Sequence, residues 1–325
     1  LGLRLGLLYM KALIIDRVSP VIAKGLQALG AEVDIKILPS VDELKEMLPE
    51  YDLLVMRVDP KIGRDILDAA AKRVKMIAVC AAGTNHIDLE YARELGIRVQ
   101  NAPGINCNAV AELVISKMID LSRFTMEANQ EVQQEGIWNK YKYTGHELGG
   151  HVLGIIGLGK IGSRVAELAR AFNMKVAAYD PYVDAAAMKE KGADKAETLE
   201  ELCAISDYIS LHTPLTGETR GMISEKEFAQ MKDGAILINC ARGGVVDEAA
   251  AKAALLSGKL AGFSTDVLVN ELAGKGLGDN ARLESELFGV RGFTASPHIG
   301  GSTHEAYDGI GEHIVGKVAE FFGLN

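Results

Sequence analysis

No stretch of the chain approaches the roughly 18 consecutive apolar residues that a membrane-spanning helix requires, which argues against a membrane partner. Cysteine is scarce. The four present, Cys80, Cys107, Cys203 and Cys240, lie far apart, with neither a CxxC pair nor a metal-ligand spacing to histidine. They read as reduced thiols of a cytoplasmic protein without a bound metal. Blocks of basic residues are also missing: 35 Lys and Arg are scattered against 44 Asp and Glu, for a formal net charge of −9. A nucleic-acid partner is therefore not expected. The apolar start Leu1–Tyr9 has neither the length nor the cleavage site of a secretory signal, and reads as a non-native or leader segment before Met10. Short-period repeats and low-complexity tracts are absent too.

What remains is a globular composition, 48% hydrophobic and 24% charged, over 325 residues, a length that suits two domains. From Met10 short apolar runs alternate with amphipathic stretches, the pattern of parallel sheets covered by helices. Strands are expected at Lys11–Ile15, Glu32–Ile37, Leu53–Arg57, Met76–Cys80 and Arg98–Gln100, with helices at Val21–Leu29, Val41–Leu48 and Gly63–Ala71. This first α/β unit, residues 10–107, has no phosphate-binding glycine turn. A long amphipathic segment, Asn108–Leu121 continuing to about Gln134, would join it to a second unit with strands at Val152–Ile156, Val176–Tyr179, Tyr208–Leu211, Ala235–Asn239 and Ala261–Thr265. Asn270–Arg291 reads as an irregular excursion, and His304–Phe322 as a helix able to pack back on the first unit.

One stretch of the second unit carries chemistry on its face. Gly157, Gly159 and Gly162 form a GxGxxG turn after the apolar run Val152–Ile156 and before a helix-like segment, Ser163–Phe172. Such a turn lets backbone N–H groups and a helix N-terminus meet a pyrophosphate. Alone the pattern recurs in structural loops. Here Asp180 closes the next apolar run 18 positions after Gly162, where a carboxylate accepts hydrogen bonds from ribose hydroxyls and disfavours the extra phosphate of NADP. The cofactor expected is NAD.

Three further polar residues follow strands of the same unit: Arg242 after Ile236–Asn239, Glu271 after the strand ending at Asp266, and His298 after Thr294–Pro297. Ligands of open parallel sheets bind outside the carboxyl ends of strands. Hydride transfer to a keto acid calls for a cation on the carboxylate and carbonyl, and for an acid/base near neutral pKa. Arg242 suits the first task and His298 the second, with Glu271 orienting the imidazole.

Taken together, Leu153–Gly162, Tyr179-Asp180-Pro181, His212-Thr213-Pro214, Asn239–Gly244, Asp266-Val267 with Glu271, and Ser296–Gly301 closely resemble the D-isomer-specific 2-hydroxyacid dehydrogenases, from about Met10 to the C-terminus. The resemblance implies two doubly wound parallel-sheet domains: a Rossmann NAD-binding domain, residues 108–301, inserted into a flavodoxin-like substrate-binding domain, residues 10–107 plus 302–325. It implies Arg242, Glu271 and His298 as catalytic residues, His298 donating a proton to the 2-keto acid or acting as base in oxidation. The cofactor set it implies is Thr84, the glycines, backbone of Lys160 and Ile161, Asp180 at the ribose, His212, Thr213, Pro214, Cys240, Ala241, Arg242, Asp266 at the carboxamide, His298, Gly300 and Gly301. On the substrate side it implies the Ala82-Gly83-Thr84 loop, Arg57 and Asn106.

Within the family, Asn101–Pro103 with Asn106, Val110–Leu113, Gly136–Lys140 and His298–Thr303 resemble the phosphoglycerate dehydrogenases, with Arg57 and Lys140 as phosphate cations. The expected reaction is oxidation of D-3-phosphoglycerate, as in serine biosynthesis. Val58, Leu268 and Leu272 depart from that pattern, the 272–292 loop is long, and no serine-binding domain follows, so feedback inhibition is not expected. A lactate-, hydroxyisocaproate- or hydroxypyruvate-type reductase stays open beside it, as does a NAD-sensing corepressor-like protein. The stretch Val110–Gln134 resembles the family's dimer-forming region, so the expected assembly is a homodimer.

Overall fold

The computed structural model describes residues 10–271 and 282–324; the segment before Met10 and Leu272 lie outside them. It is an α/β structure with two all-parallel sheets. Two compact units divide it, with boundaries at Asn106/Cys107 and Gly301/Ser302.

The first unit contains β1 (Lys11–Ile14), α1 (Pro20–Ala28), β2 (Glu32–Ile35), α2 (Val41–Met47), β3 (Leu53–Met56), α3 (Arg64–Ala70), β4 (Met76–Val79), α4 (Leu89–Glu94) and β5 (Arg98–Asn101). The strand order is β2-β1-β3-β4-β5, so the chain reverses direction between β1 and β3. β3 and β4 are buried at every position because helices cover both sheet faces. On one face Leu13, Leu54 and Ile77 pack with Leu44 and Ile66. On the other Ala12, Val55 and Ala78 pack with Ile22 and with Ile310, Ile314 and Val318 of the last helix, α12 (His304–Phe322). α12 approaches α1 closely because Gly25 has no side chain: a Cβ there would lie 2.7 Å from a methyl of Val315. Helix starts follow local chemistry. Ser19 Oγ accepts from Val21 N at 3.1 Å ahead of Pro20, and Ser40 with Glu43 closes a capping box on α2.

The second unit contains α5 (Cys107–Arg123), α6 (Thr125–Glu135), β6 (Val152–Ile156), α7 (Lys160–Ala171), β7 (Lys175–Tyr179), α8 (Ala185–Glu190), β8 (Asp194–Lys195), α9 (Leu199–Ile205), β9 (Tyr208–Leu211), α10 (Glu225–Gln230), β10 (Ala235–Asn239), α11 (Glu248–Leu256), β11 (Leu260–Thr265) and β12 (Phe293–Ala295). Its order is β12-β11-β10-β9-β6-β7-β8, with the reversal between β6 and β9. Ile155, Tyr208 and Ile238 face α5 and α7, while Ile156, Leu211 and Leu237 face α10 and α11.

Two elements depart from the sequence reading. The segment expected to run continuously to about Gln134 is two helices, because Phe124 takes a left-handed backbone (φ 55°) between α5 and α6. α5 is moreover a core helix of the second unit, with Val114, Ile115 and Met118 buried, whereas α6 buries no residue. The helix expected from Ser163 begins at Lys160, since Gly159 is its N-cap and Gly162 lies within its first turn. Among the described residues no helix is long and apolar enough to cross a membrane, and all four cysteines are unpaired.

Candidate active site

The glycine turn leaves the carboxyl end of β6, at the reversal of the second sheet. Gly157 is left-handed (φ 91°), and a Cβ there would lie 2.9 Å from the His212 carbonyl. A Cβ on Gly162 would lie 2.2 Å from the Gly157 carbonyl, so the turn and helix pack only if that side chain is missing. Gly159 is different. Its backbone is extended, and a Cβ there would meet no protein atom within 4 Å. The space it leaves open is what close approach of a pyrophosphate needs. Two buried polar atoms beside the turn, His212 Nδ1 and Thr213 Oγ1, have no protein partner. These residues fit a dinucleotide.

Asp180, at the end of β7, accepts from Leu158 N at 2.9 Å and Tyr182 N at 3.0 Å. Its carboxylate thus ties the glycine turn to the next strand end. His212 Nε2 is 2.9 Å from Ser210 Oγ, and burial pushes its pKa down to about 3, so the imidazole is neutral. Pro214 O is taken by Thr219 Oγ1 at 2.6 Å.

The structure brings Arg242, Glu271 and His298 to the carboxyl ends of the neighbouring strands β10, β11 and β12. Asn239 sets the first turn: its Oδ1 accepts from Ala241 N and its Nδ2 donates to Arg242 O, both at 3.0 Å. The Arg242 guanidinium spends one N–H on Ala241 O at 2.7 Å, which leaves the others for an anion. His298 sits in a left-handed backbone (φ 53°), and its N–H donates to Asp266 O at 2.9 Å. Its Nδ1 lies 3.2 Å from Glu271 Oε1, and the side chain is 51% exposed. With Nδ1–H toward the carboxylate, Nε2 faces outward and is free to exchange a proton.

Asp266 is buried at 2% exposure. The resemblance implies that it meets the nicotinamide carboxamide; in the structure its carboxylate already accepts from Ser296 Oγ, from Ile299 N at 3.0 Å and from Gly300 N at 2.7 Å. It therefore fixes the turn that carries His298, Gly300 and Gly301. Cys240 is buried nearby, its thiol pushed up to about 12.

The first unit places its own candidates at the carboxyl ends of β3 and β4. Arg57 N donates to Asp16 Oδ2 at 3.0 Å. Ala82 O accepts from Asn101 Nδ2 at 2.6 Å, and Thr84 O accepts from Ile87 N at 3.0 Å, closing a turn over residues 84–87. Asn106 Oδ1 is buried without a partner. Lys140 is not gathered with the other candidates of the second unit: it is exposed between α6 and β6, its Nζ 5.1 Å from the ring of Tyr141.

Two residues escape the sequence reading. Lys117 is buried on α5, its Nζ donating to Ser264 Oγ and Thr265 O at 3.2 Å. Burial lowers its pKa, opposed by Cys240, Asp266 and Asp120. A lysine amid the apolar positions Val114, Ile115 and Met118 is the signal that marks it. Asp16, also buried, gathers the amides of Arg17, Arg57 and Val58. Among the described residues no cluster is suited to hold a metal.

Residues 115–300 match the family model of the D-isomer specific 2-hydroxyacid dehydrogenase NAD binding domain. The chain belongs to the D-isomer specific 2-hydroxyacid dehydrogenase family. The cofactor of this family member is NAD. It is 39% identical over 283 residues to the hydroxypyruvate reductase of Thermotoga maritima, covering 87% of this chain and 89% of that one. It is 35% identical over 309 residues to the D-3-phosphoglycerate dehydrogenase of Methanocaldococcus jannaschii, covering 95% of this chain but 57% of that one. The chain thus spans little more than half the length of that relative. Among solved structures, the D-lactate dehydrogenase of Aquifex aeolicus complexed with NAD and lactic acid superposes with a TM-score of 0.81 at 30% identity, over 96% of this chain and 95% of that one.

The neutral His212 yields a stability prediction. An imidazole with a folded pKa of about 3 against 6.5 unfolded means that the unfolded chain binds the extra proton between those values. Stability of the cofactor-free protein should fall as pH drops through 6.5 toward 3, and His212→Asn should lessen that fall. Urea titrations across this window check it; parallel curves for both proteins would show that His212 is not buried neutral.

Proposed function

We propose that this protein is an NAD-dependent dehydrogenase of D-2-hydroxy acids, oxidising D-3-phosphoglycerate to 3-phosphohydroxypyruvate. The observation that carries the reaction class is the 3.2 Å pairing of His298 Nδ1 with Glu271 Oε1, on the strand ends that also carry Arg242. NAD bound at the glycine turn would supply a hydride acceptor for the oxidation, and NADH the hydride donor for the reverse. Arg242 holds the substrate carboxylate and polarises the carbonyl with its remaining N–H groups. His298 Nε2 takes the hydroxyl proton in oxidation and gives it back in reduction, while the Glu271 carboxylate offsets the imidazolium charge. Gly159, Lys160 and Ile161 receive the pyrophosphate and Asp180 the ribose; Thr84, His212, Thr213, Pro214, Cys240, Ala241, Gly300 and Gly301 complete the cofactor contacts. Ala82, Gly83 and Asn106 bind on the substrate side.

The phosphorylated substrate is supported by Arg57, whose guanidinium has no hydrogen bond or ion pair among the described residues and is half-buried. A reductase of unphosphorylated keto acids is the second reading, favoured by Val58 beside Arg57 and by the exposed setting of Lys140. NADH turnover with 3-phosphohydroxypyruvate, hydroxypyruvate, pyruvate and 2-ketoisocaproate side by side tests both. The phosphorylated acid should be preferred, and His298→Ala should lower kcat by about 10²–10⁴-fold. Preference for an apolar keto acid overturns the substrate; unchanged turnover in His298→Ala overturns the mechanism.

A homodimer is proposed as the assembly, in the cytoplasm, where unpaired thiols persist. α6 buries none of its residues, yet Met126 is 52%, Trp138 85% and Tyr141 81% exposed around it. An isolated helix of 11 residues is marginal without a packed face. A groove of about 1010 Å³ runs beside it, along Leu121, Phe124, Phe288 and the outer edge of β12, and a second copy of α6 suits it. Light scattering should give twice the chain mass, reduced to one in Trp138→Glu/Met126→Glu. A wild-type monomer contradicts the assembly.

A further inference from the structure

Arg57 is held from two directions within the first unit. Its main chain is fixed where the sheet reverses, because Asp16 Oδ2 accepts from Arg57 N at 3.0 Å and from Val58 N at 3.2 Å. Its guanidinium lies 4.8 Å from the ring centroid of Tyr307, on the second turn of α12. The ring is fixed in turn, since Tyr307 OH donates to Ser302 Oγ at 3.0 Å. The helix beneath is firmly docked: Ser19 Oγ donates to Asp308 Oδ1 at 2.6 Å, beside the close approaches of Gly25 and Gly311 to the opposite helix.

A guanidinium over an aromatic face keeps its edge N–H groups available, and those are the donors a forked oxyanion contact uses. A side chain free to rotate must lose that freedom on binding, whereas one already seated on a ring loses little. We propose that Tyr307 is a specificity-determining residue, which presets the Arg57 fork for the second anionic group of the substrate, the one remote from the reacting carbonyl. This rests on the reading of Arg57 given above. The sequence position is easily passed over, because 250 residues separate Tyr307 from Arg57.

Tyr307→Leu and Tyr307→Phe, compared on 3-phosphohydroxypyruvate and hydroxypyruvate, test it. Leucine removes the ring and phenylalanine keeps it. Tyr307→Leu should raise KM for the phosphorylated acid roughly three- to tenfold, with kcat unchanged and KM for hydroxypyruvate unmoved. Tyr307→Phe should restore most of the lost KM. A wild type that treats both acids alike overturns the reading of Arg57 and this inference with it. A discriminating wild type whose Leu variant keeps the same KM ratio, or whose KM rises equally for both acids, overturns the role of Tyr307 alone.

Discussion

The buried carboxylate of Asp266 is the constraint from which the candidate site of the second unit hangs. Its backbone N–H donates to Asn239 O at 2.9 Å, its carbonyl accepts from His298 N at 2.9 Å, and its side chain gathers Ser296, Ile299 and Gly300. The ends of β10, β11 and β12 are thereby locked to one another at a single residue. A carboxylate this deep is costly unless its lone pairs are filled and a cation offsets its charge. Three donors fill it, and Lys117, buried on α5 with its Nζ bonded to the adjoining Ser264 and Thr265, supplies charge of the opposite sign. This network lets His298 keep a backbone conformation that non-glycine residues rarely adopt.

The two sheets use their reversal points differently. In the second, Gly157 and Gly162 let the turn and its helix pack closely, and Gly159 leaves an open space beside its backbone. In the first, the same topological position holds Asp16, whose carboxylate has already claimed the amides that an anion would seek there. One unit leaves space at the backbone of its glycine turn. The other offers a side-chain cation, Arg57, whose place is set by Asp16 beneath and Tyr307 beside it.

Strands buried on both faces were legible because they read as unbroken apolar runs: β9 and β10 fall on Tyr208–Leu211 and Ala235–Asn239, whereas β8, two exposed polar residues, has no such run and was not foreseen. The glycine turn and the three polar residues after strand ends were legible for the same reason, since each is placed by a strand the pattern reveals. Short helices such as α4, six residues behind its Asp88 cap, left too little periodicity to see. The break at Phe124 was hidden because neither glycine nor proline marks it. Lys117 and Tyr307 act across 147 and 250 residues of sequence, and contacts of that range follow from packing, which no local pattern encodes.

Following NADH formation from NAD with the D- and L-forms of one 2-hydroxy acid, in the wild type and in Glu271→Gln, tests the central claim most directly. Turnover is expected for the D-form alone, with kcat reduced in Glu271→Gln and NADH affinity retained, because the carboxylate acts on His298 and not on the cofactor. Equal use of both enantiomers, or a Glu271→Gln variant as fast as the wild type, would contradict it.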